Sequence, residues 1–262
     1  MDLNLAGRHA LVCGASEGIG RAAAHELALL GANVTVLARR ADVLAEVATA
    51  LPRIVEGQRH DSIATDLADA SALQANIGTL VAQRPVHILV NNTGGPPGGR
   101  AIDADAAAYL AAFQRHLLAN QMLAQLTVPG MRAAGWGRIV NVVSTSVKEP
   151  IVNLGVSNTI RGAVASWAKT LSKELGADGI TVNNVLPGYT RTQRLEQILC
   201  DRVQATGKDE PAISAAMLAT VPAGRFAEAH EIAAAIAFLA SPAAGYITGV
   251  SLAVDGGRMQ SI

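Results

Sequence analysis

The sequence predicts an α/β fold, a doubly wound parallel sheet of seven strands flanked by helices on both faces. Two observations carry this. Short β-rich apolar runs alternate with longer Ala- and Leu-rich stretches of helical spacing, the β-α-β-α order from which parallel sheets are built. Half of the 262 residues are hydrophobic but only 3% are aromatic. The core is therefore assembled from Ala, Val, Leu and Ile, which suits strands buried on both faces beneath Ala-rich helices.

Taken in order, the predicted strands are His9–Cys13, Asn33–Ala38, 58–64, 86–91, 138–143, 181–186 and Ser251–Val254. Between them the spacing predicts helices over 18–30, 41–51, 70–84, 103–134, 157–175 and 228–239. Right-handed crossovers place all seven strands in one sheet. No Ser- or Pro-rich linker, internal repeat or low-complexity tract divides the chain, so residues 1–262 are read as one domain. Segment 191–225 stands apart, with weaker periodicity and Gly207, Pro211 and Pro222. It follows a strand end, where doubly wound folds bind ligands, and is expected to be a mobile substrate lid, with an ordinary helical excursion as the alternative.

The 21 basic residues balance the 21 acidic ones, leaving no global field to attract nucleic acid or an anionic membrane. A small-molecule partner is expected instead. Cys13 and Cys200 are the only cysteines. They form no C-x-x-C or Cys/His cluster, so no metal site is expected and a reducing, cytoplasmic compartment fits. Residues 1–8 lack the pattern of a signal peptide, and the apolar run 232–240 is far below the roughly 20 residues of a membrane span.

After the first strand comes Cys13-Gly14-Ala15-Ser16-Glu17-Gly18-Ile19-Gly20, which leads directly into a helix. Glycines let the backbone turn sharply here. They also let a pyrophosphate approach the helix N-terminus, where unpaired N–H groups and the dipole favour negative charge. Four further motifs follow in order: Asn91-Asn92-Thr93-Gly94; Gly137-Arg138-Ile139-Val140-Asn141-Val142-Val143-Ser144; Pro187-Gly188-Tyr189-Thr190-Arg191-Thr192; and Ile247-Thr248-Gly249 with Val254-Asp255-Gly256-Gly257. On these motifs the sequence resembles the classical short-chain dehydrogenase/reductase family, 3-oxoacyl-[acyl-carrier-protein] reductases above all, over nearly its whole length. The resemblance implies a Rossmann-type fold and a nicotinamide cofactor.

By resemblance, Gly14, Ser16, Gly18, Ile19 and Gly20 form the phosphate loop, and Asp66 with Leu67 meets the adenine. Asn92 and Gly94 line the adenosine ribose region. Pro187, Gly188, Thr190 and Thr192 bracket the nicotinamide carboxamide. Asp66 has an alternative role as the cap of the following helix. An NAD enzyme usually places an acid at the end of the second strand to bind the ribose 2′-OH, a position that falls at Ala38. Arg39 and Arg40 follow it, and guanidinium groups suit a 2′-phosphate, so NADP(H) is expected in preference to NAD(H). Glu17 stands where NADP-using relatives often carry a base.

The family's reaction site combines a Ser, a Tyr thirteen residues on, a Lys four beyond the Tyr, and an Asn on the preceding long helix. Here Ser144 is retained, Ser157 and Arg161 take the Tyr and Lys positions, and the Asn position falls near His116. A serine is far less acidic than a phenol and reaches less. Arg161 can bind ribose hydroxyls but cannot relay protons. Ser157 has an alternative role as an N-cap. Three residues are candidates to supply the missing proton: His116, Tyr189 and Lys148. Two functions remain open. One is an NADP(H)-dependent oxidoreductase interconverting a ketone and a secondary alcohol with an atypical proton donor. The other is a retired or non-redox protein acting as a nucleotide-binding or regulatory module. The resemblance implies a homotetramer or homodimer paired through helices 103–134 and 157–175, with 94–99 and 191–225 shaping the substrate pocket.

Overall fold

The structure, a computed structural model, describes residues 1–261. Its seven strands are β1 (His9–Cys13), β2 (Asn33–Ala38), β3 (His60–Ala64), β4 (Ile88–Asn91), β5 (Gly137–Val142), β6 (Ile180–Pro187) and β7 (Ser251–Val254). They form one sheet in the order β3-β2-β1-β4-β5-β6-β7, with every pairing parallel. The order reverses between β1 and β4. A crevice opens outside the carboxyl ends of such a pair, and ligands of this fold class bind there.

Alternation along the strands divides the core into two layers, because successive side chains point to opposite faces. Ala10 and Val12 of β1, Ile88 and Val90 of β4, and Val140 of β5 face one layer. This layer is covered by α1 (Gly18–Leu29), α2 (Ala41–Ala50) and α9 (Ala229–Ala240). Leu11, Cys13, Leu89 and Ile139 face the other. There α3 (Ala70–Gln83), α5 (Ala119–Ala133) and α6 (Gly155–Leu175) supply Leu73, Ile77, Leu123, Met131 and Ala168.

A line of amides crosses the sheet on the same face as Leu89 and Ile139. Asn91 Nδ2 donates to Asn141 Oδ1 at 2.8 Å, Asn141 Nδ2 to Asn184 Oδ1 at 3.0 Å, and Asn184 Nδ2 to Ser251 Oγ at 3.1 Å. The four residues are register partners on β4, β5, β6 and β7.

One expectation is corrected. The single helix expected over 103–134 is instead α4 (Ala106–Phe113), a π turn (Gln114–Leu118) and α5. The extra residue of a π turn shifts the helix face, a device frequent at functional sites, and it turns His116 inward. Segment 191–225 is more regular than its sequence suggested, forming α7 (Gln193–Thr206) and α8 (Glu210–Leu218). Leu195, Leu199, Ile213, Met217 and Phe226 pack into a small core of their own there. Both cysteines are free thiols. Among the described residues, no helix is long and apolar enough to cross a membrane and no acidic, His or Cys group is arranged to hold a metal.

Candidate active site

A cleft of about 940 Å³ opens at the β1/β4 reversal. One wall is the turn from β1 into α1, with Gly14, Gly18 and Ile19. The glycines are required by contact and not only by bending. A Cβ on Gly20 would lie 2.2 Å from the Gly14 carbonyl oxygen, and one on Gly14, whose φ is +59°, would lie 2.6 Å from the Asn92 carbonyl oxygen. Packing this close lets the N-terminus of α1 face the cleft, where its unpaired N–H groups suit a phosphate. Asn92 lines the same wall, and its Nδ2 donates to the carbonyls of Cys13 and Gly14 at 3.3 and 3.2 Å. Its side chain therefore locks the glycine loop against the end of β4.

The loop also reaches toward the end of β2. Arg40 Nη2 contacts Glu17 Oε2 at 2.5 Å and donates to Ser16 Oγ at 3.2 Å. Glu17, the unexpected acid, is thus the ion-pair partner of one of the two arginines expected at a 2′-phosphate. Gln193, the first residue of α7, places its amide nitrogen 2.9 and 3.0 Å from the two Glu17 carboxylate oxygens. Arg39 and Arg40 lie outside the cleft lining, as do Asp66 and Leu67. The Asp66 carboxylate accepts from the Ala68 amide at 2.9 Å, while Asp69 caps α3 by accepting from Ala72 at 3.0 Å. The cap role considered for Asp66 belongs to Asp69.

The opposite wall is the end of β6 and the residues just beyond it: Pro187, Gly188, Tyr189, Thr190 and Thr192. Gly188 packs against Asp255, where a Cβ would meet the backbone at 2.7 Å. Thr190 and Thr192 donate to the carbonyls of Gly188 and Thr190, each at 3.2 Å. These bonds brace the segment leading into α7.

Ser144 stands at the end of β5 and caps a 3₁₀ turn by accepting from the Ser146 amide at 3.1 Å, with its hydroxyl hydrogen left free for the cleft. Ser157 and Arg161 line the same cleft from α6. They share a helix face because they are four residues apart. Ser157 does not cap this helix. α6 begins at Gly155 with Leu154 as its N-cap, and Ser157 is 8% exposed within its first turn. Arg161 is buried, and its Nη1 and Nη2 donate to the carbonyls of Val142 at 2.8 Å and Thr93 at 3.4 Å. Burial, together with the nearby Arg194 guanidinium, lowers its pKa to about 10. It remains a cation at neutral pH.

His116 is absent from the cleft wall. It lines a separate cavity of about 10 Å³ with Asn92, Asn120 and Arg161, among others, a space near the size of one water. Burial, Arg161 and Arg115 push its pKa down to about 3, opposed by a backbone hydrogen bond at Gly94. Its imidazole is neutral. Lys148 is also outside the cleft lining, so of the three candidate donors only Tyr189 borders the cleft. Its ring makes an edge contact with Phe226 at 6.2 Å between centroids and lies 4.7 Å beneath the Arg258 guanidinium.

Among the charged cleft residues, the sequence reading names none of Arg194, Asp201, Arg202 and Arg258, the first three falling within the 191–225 segment expected to shape the pocket. Arg194 Nη2 donates to the Pro96 carbonyl at 2.9 Å, and Arg258 Nη1 donates to Thr145 Oγ1 at 3.2 Å. The available signals were position alone. Arg194 comes two residues after Thr192, and Arg258 directly follows the Asp255-Gly256-Gly257 motif.

Comparison with known proteins matches this arrangement. A family model described as enoyl-(acyl carrier protein) reductase matches residues 14–258. The 3-oxoacyl-[acyl-carrier-protein] reductase FabG of Vibrio harveyi is 33% identical over 258 residues, covering 97% of this chain and 98% of that protein. L-xylulose reductase of Cavia porcellus is 33% identical over 261 residues, covering 98% of each. Among solved structures, L-sorbose reductase of Gluconobacter frateurii, complexed with NADPH and L-sorbose, superposes with a TM-score of 0.92 at 30% identity, covering all of both chains. Sheet order, glycine turn, strand-end serine and whole-length similarity agree: the chain belongs to the short-chain dehydrogenase/reductase family.

Proposed function

We propose that this protein is an NADP(H)-dependent oxidoreductase that interconverts a ketone and a secondary alcohol, with Tyr189 as its proton donor. The observation that carries the reading is the single cleft in which the glycine turn, Asn92, the 187–192 wall and Ser144 meet. The residues present fit a dinucleotide, since the cleft is roomy, one end faces a helix N-terminus, and close glycine packing clears the approach. Gly14, Gly18, Ile19, Asn92 and Gly94 would hold its nucleotide portion, and Pro187, Gly188, Thr190 and Thr192 its nicotinamide. Arg39 and Arg40 at the end of β2 favour the 2′-phosphate. When bound, the nicotinamide supplies or accepts hydride at the reacting carbon.

The chain's own residues handle the oxygen. Ser144 Oγ hydrogen-bonds it, and the Tyr189 phenol gives or takes its proton. Arg161 brings a fixed positive charge to the cleft wall, which favours negative charge developing on that oxygen in a low-dielectric site. It also keeps the ribose-binding half of the role that a lysine has in relatives. His116 is assigned no proton transfer, because its imidazole is neutral and turned into its own cavity. Segment 191–225 is read as the lid of the substrate end, within one domain that spans the chain, and a homodimer or homotetramer is the expected assembly.

Titration with NADPH and NADH, followed by NADPH oxidation over a panel of carbonyl compounds, tests the reading. Submicromolar or low-micromolar NADPH binding with turnover supports it. A second reading rests on Ser157, which leaves no acid where Ser144 and Arg161 meet. On that reading the protein binds the nucleotide as a regulatory module, and tight NADPH binding without turnover on any compound would select it.

A further inference from the structure

The charges around the cleft are unbalanced. Four arginines border it, Arg161, Arg194, Arg202 and Arg258, against two acids, Glu17 and Asp201. Both acids are engaged elsewhere: Glu17 with Arg40 and the Gln193 amide, and Asp201 as acceptor from Gln197 Nε2 at 2.7 Å. None of the four arginines forms an ion pair with a described residue.

Their placement sharpens the imbalance. Arg161 and Arg194 converge on Gly95, where a Cβ would lie 3.7 Å from an Nη2 atom of each. Like charges this close repel, and the protein holds them there with carbonyl acceptors alone, Val142 and Thr93 for one and Pro96 for the other. Arg258 lies over Tyr189 and bonds Thr145, the neighbour of Ser144, so its charge stands at the reacting end. Its Nε is buried with no hydrogen-bond partner among the described residues. The rest of the Arg258 side chain is half-buried and borders the cleft, and the acid its charge influences, Glu149, is engaged with the Gln260 and Ser261 amides. On the proposed reading the phosphates of a dinucleotide are taken by the α1 N-terminus and by Arg39 and Arg40, none of which contacts Arg258.

We propose that the substrate of this cleft is an anion, an oxo or hydroxy acid whose carboxylate is recognised by Arg194 and Arg258. Arg194 Nε and Nη1 have no hydrogen-bond partner among the described residues, and Nη2 carries a second hydrogen beyond the one given to Pro96, so the side chain keeps charged donors for a carboxylate. Arg161, its own donors partly committed to Val142 and Thr93, adds charge behind it. The inference rests on the oxidoreductase reading for the location of the reacting carbon, but anion binding is measurable without turnover.

Calorimetric titration of benzoate and of benzamide into the protein saturated with NADP⁺ provides the test. Benzoate should bind at least tenfold more tightly than benzamide. Arg194→Gln and Arg258→Gln should each reduce that ratio to threefold or less while benzamide binding stays as it was. Equal binding of the two compounds overturns the proposal, as does a ratio unchanged in both variants. Inorganic phosphate binding more tightly than benzoate overturns the carboxylate assignment. Weaker NADPH binding in Arg194→Gln, with the benzoate ratio intact, assigns Arg194 to the cofactor and overturns its role here. Absence of turnover on every carbonyl compound would refute the oxidoreductase reading and leave this comparison standing.

Discussion

Arg161 Nη1 donates to the Val142 carbonyl at 2.8 Å, so the residue at the family's lysine position is tied to the last residue of β5, two before Ser144. Its Nη2 reaches the Thr93 carbonyl beyond β4. One guanidinium thus joins the ends of two strands below the cleft. It positions as well as charges the site, and with Ser157 it is the place where altered chemistry is most directly reversed. Ser157→Tyr combined with Arg161→Lys returns a phenol and an amine four residues apart on the cleft face of α6. Steady-state NADPH oxidation should rise by about 100-fold, in the range of a restored general acid, and Arg161→Lys alone should give no such rise.

Tyr189→Phe removes a hydroxyl and leaves the ring contacts with Phe226 and Arg258 in place. The unfolding temperature should stay within a degree or two, while kcat for ketone reduction falls by about 100-fold or more. His116→Asn should leave kcat within a few-fold. The reverse order of effects, read by steady-state kinetics, would return the donor role to His116.

Arg40→Ala should lower the preference for NADPH over NADH by about 10- to 100-fold, the worth of one charged hydrogen bond of about 1.5–3 kcal/mol. Glu17→Gln should do the opposite, tightening NADPH a few-fold, because Glu17 competes with a 2′-phosphate for the same guanidinium. Fluorescence titration with both cofactors measures the two effects.

The buried histidines set an acid limit on stability. His116 is held down to about 3 and His9 to about 4, chiefly by burial, against a usual value of 6.5. Between those values and 6.5 the unfolded chain binds more protons than the folded one, so stability rises with pH there. Their contribution is complete above pH 6.5 and is lost as the pH falls toward 4 and then 3. Urea midpoints should therefore drop between pH 7.5 and pH 5, and His116→Asn should flatten that slope.

Gly20→Ala puts a methyl group 2.2 Å from the Gly14 carbonyl oxygen, a backbone atom that cannot turn aside. NADPH affinity should fall by more than tenfold with a lower unfolding temperature, whereas Gly78→Ala, with open space around it on α3, should be neutral or slightly stabilising. Thermal shift with and without NADPH separates the two.

Strands were legible wherever an apolar run met a turn residue. β1, β2 and β7 occupy the expected residues, and the rest differ by one or two at their ends. The glycine turn was legible for the same reason, since its spacing encodes a backbone geometry. The π turn was not, because Gln114 to Leu118 keep ordinary helical composition and the widening is settled by tertiary packing. α7 carried a signal in Leu195, Leu199 and Val203, four residues apart, obscured by the polar residues between them. Ser157 looked like a cap because Ser favours that position, yet the helix starts two residues earlier at Gly155. Arg194, Arg202 and Arg258 were the least legible of the cleft residues. Nothing local in the sequence tells which of many surface-type residues a fold turns inward.

The amide line from Asn91 to Ser251 has a bearing on how the molecule is made. It closes only when four strands, drawn from distant parts of the chain, are all in step. A slip of one residue anywhere along it would flip an amide into a dry layer and orphan the neighbours on either side. Errors in assembly are thereby penalised jointly and not strand by strand. The line therefore couples the register of β4, β5, β6 and β7, the half of the sheet that presents Ser144 and the 187–192 wall.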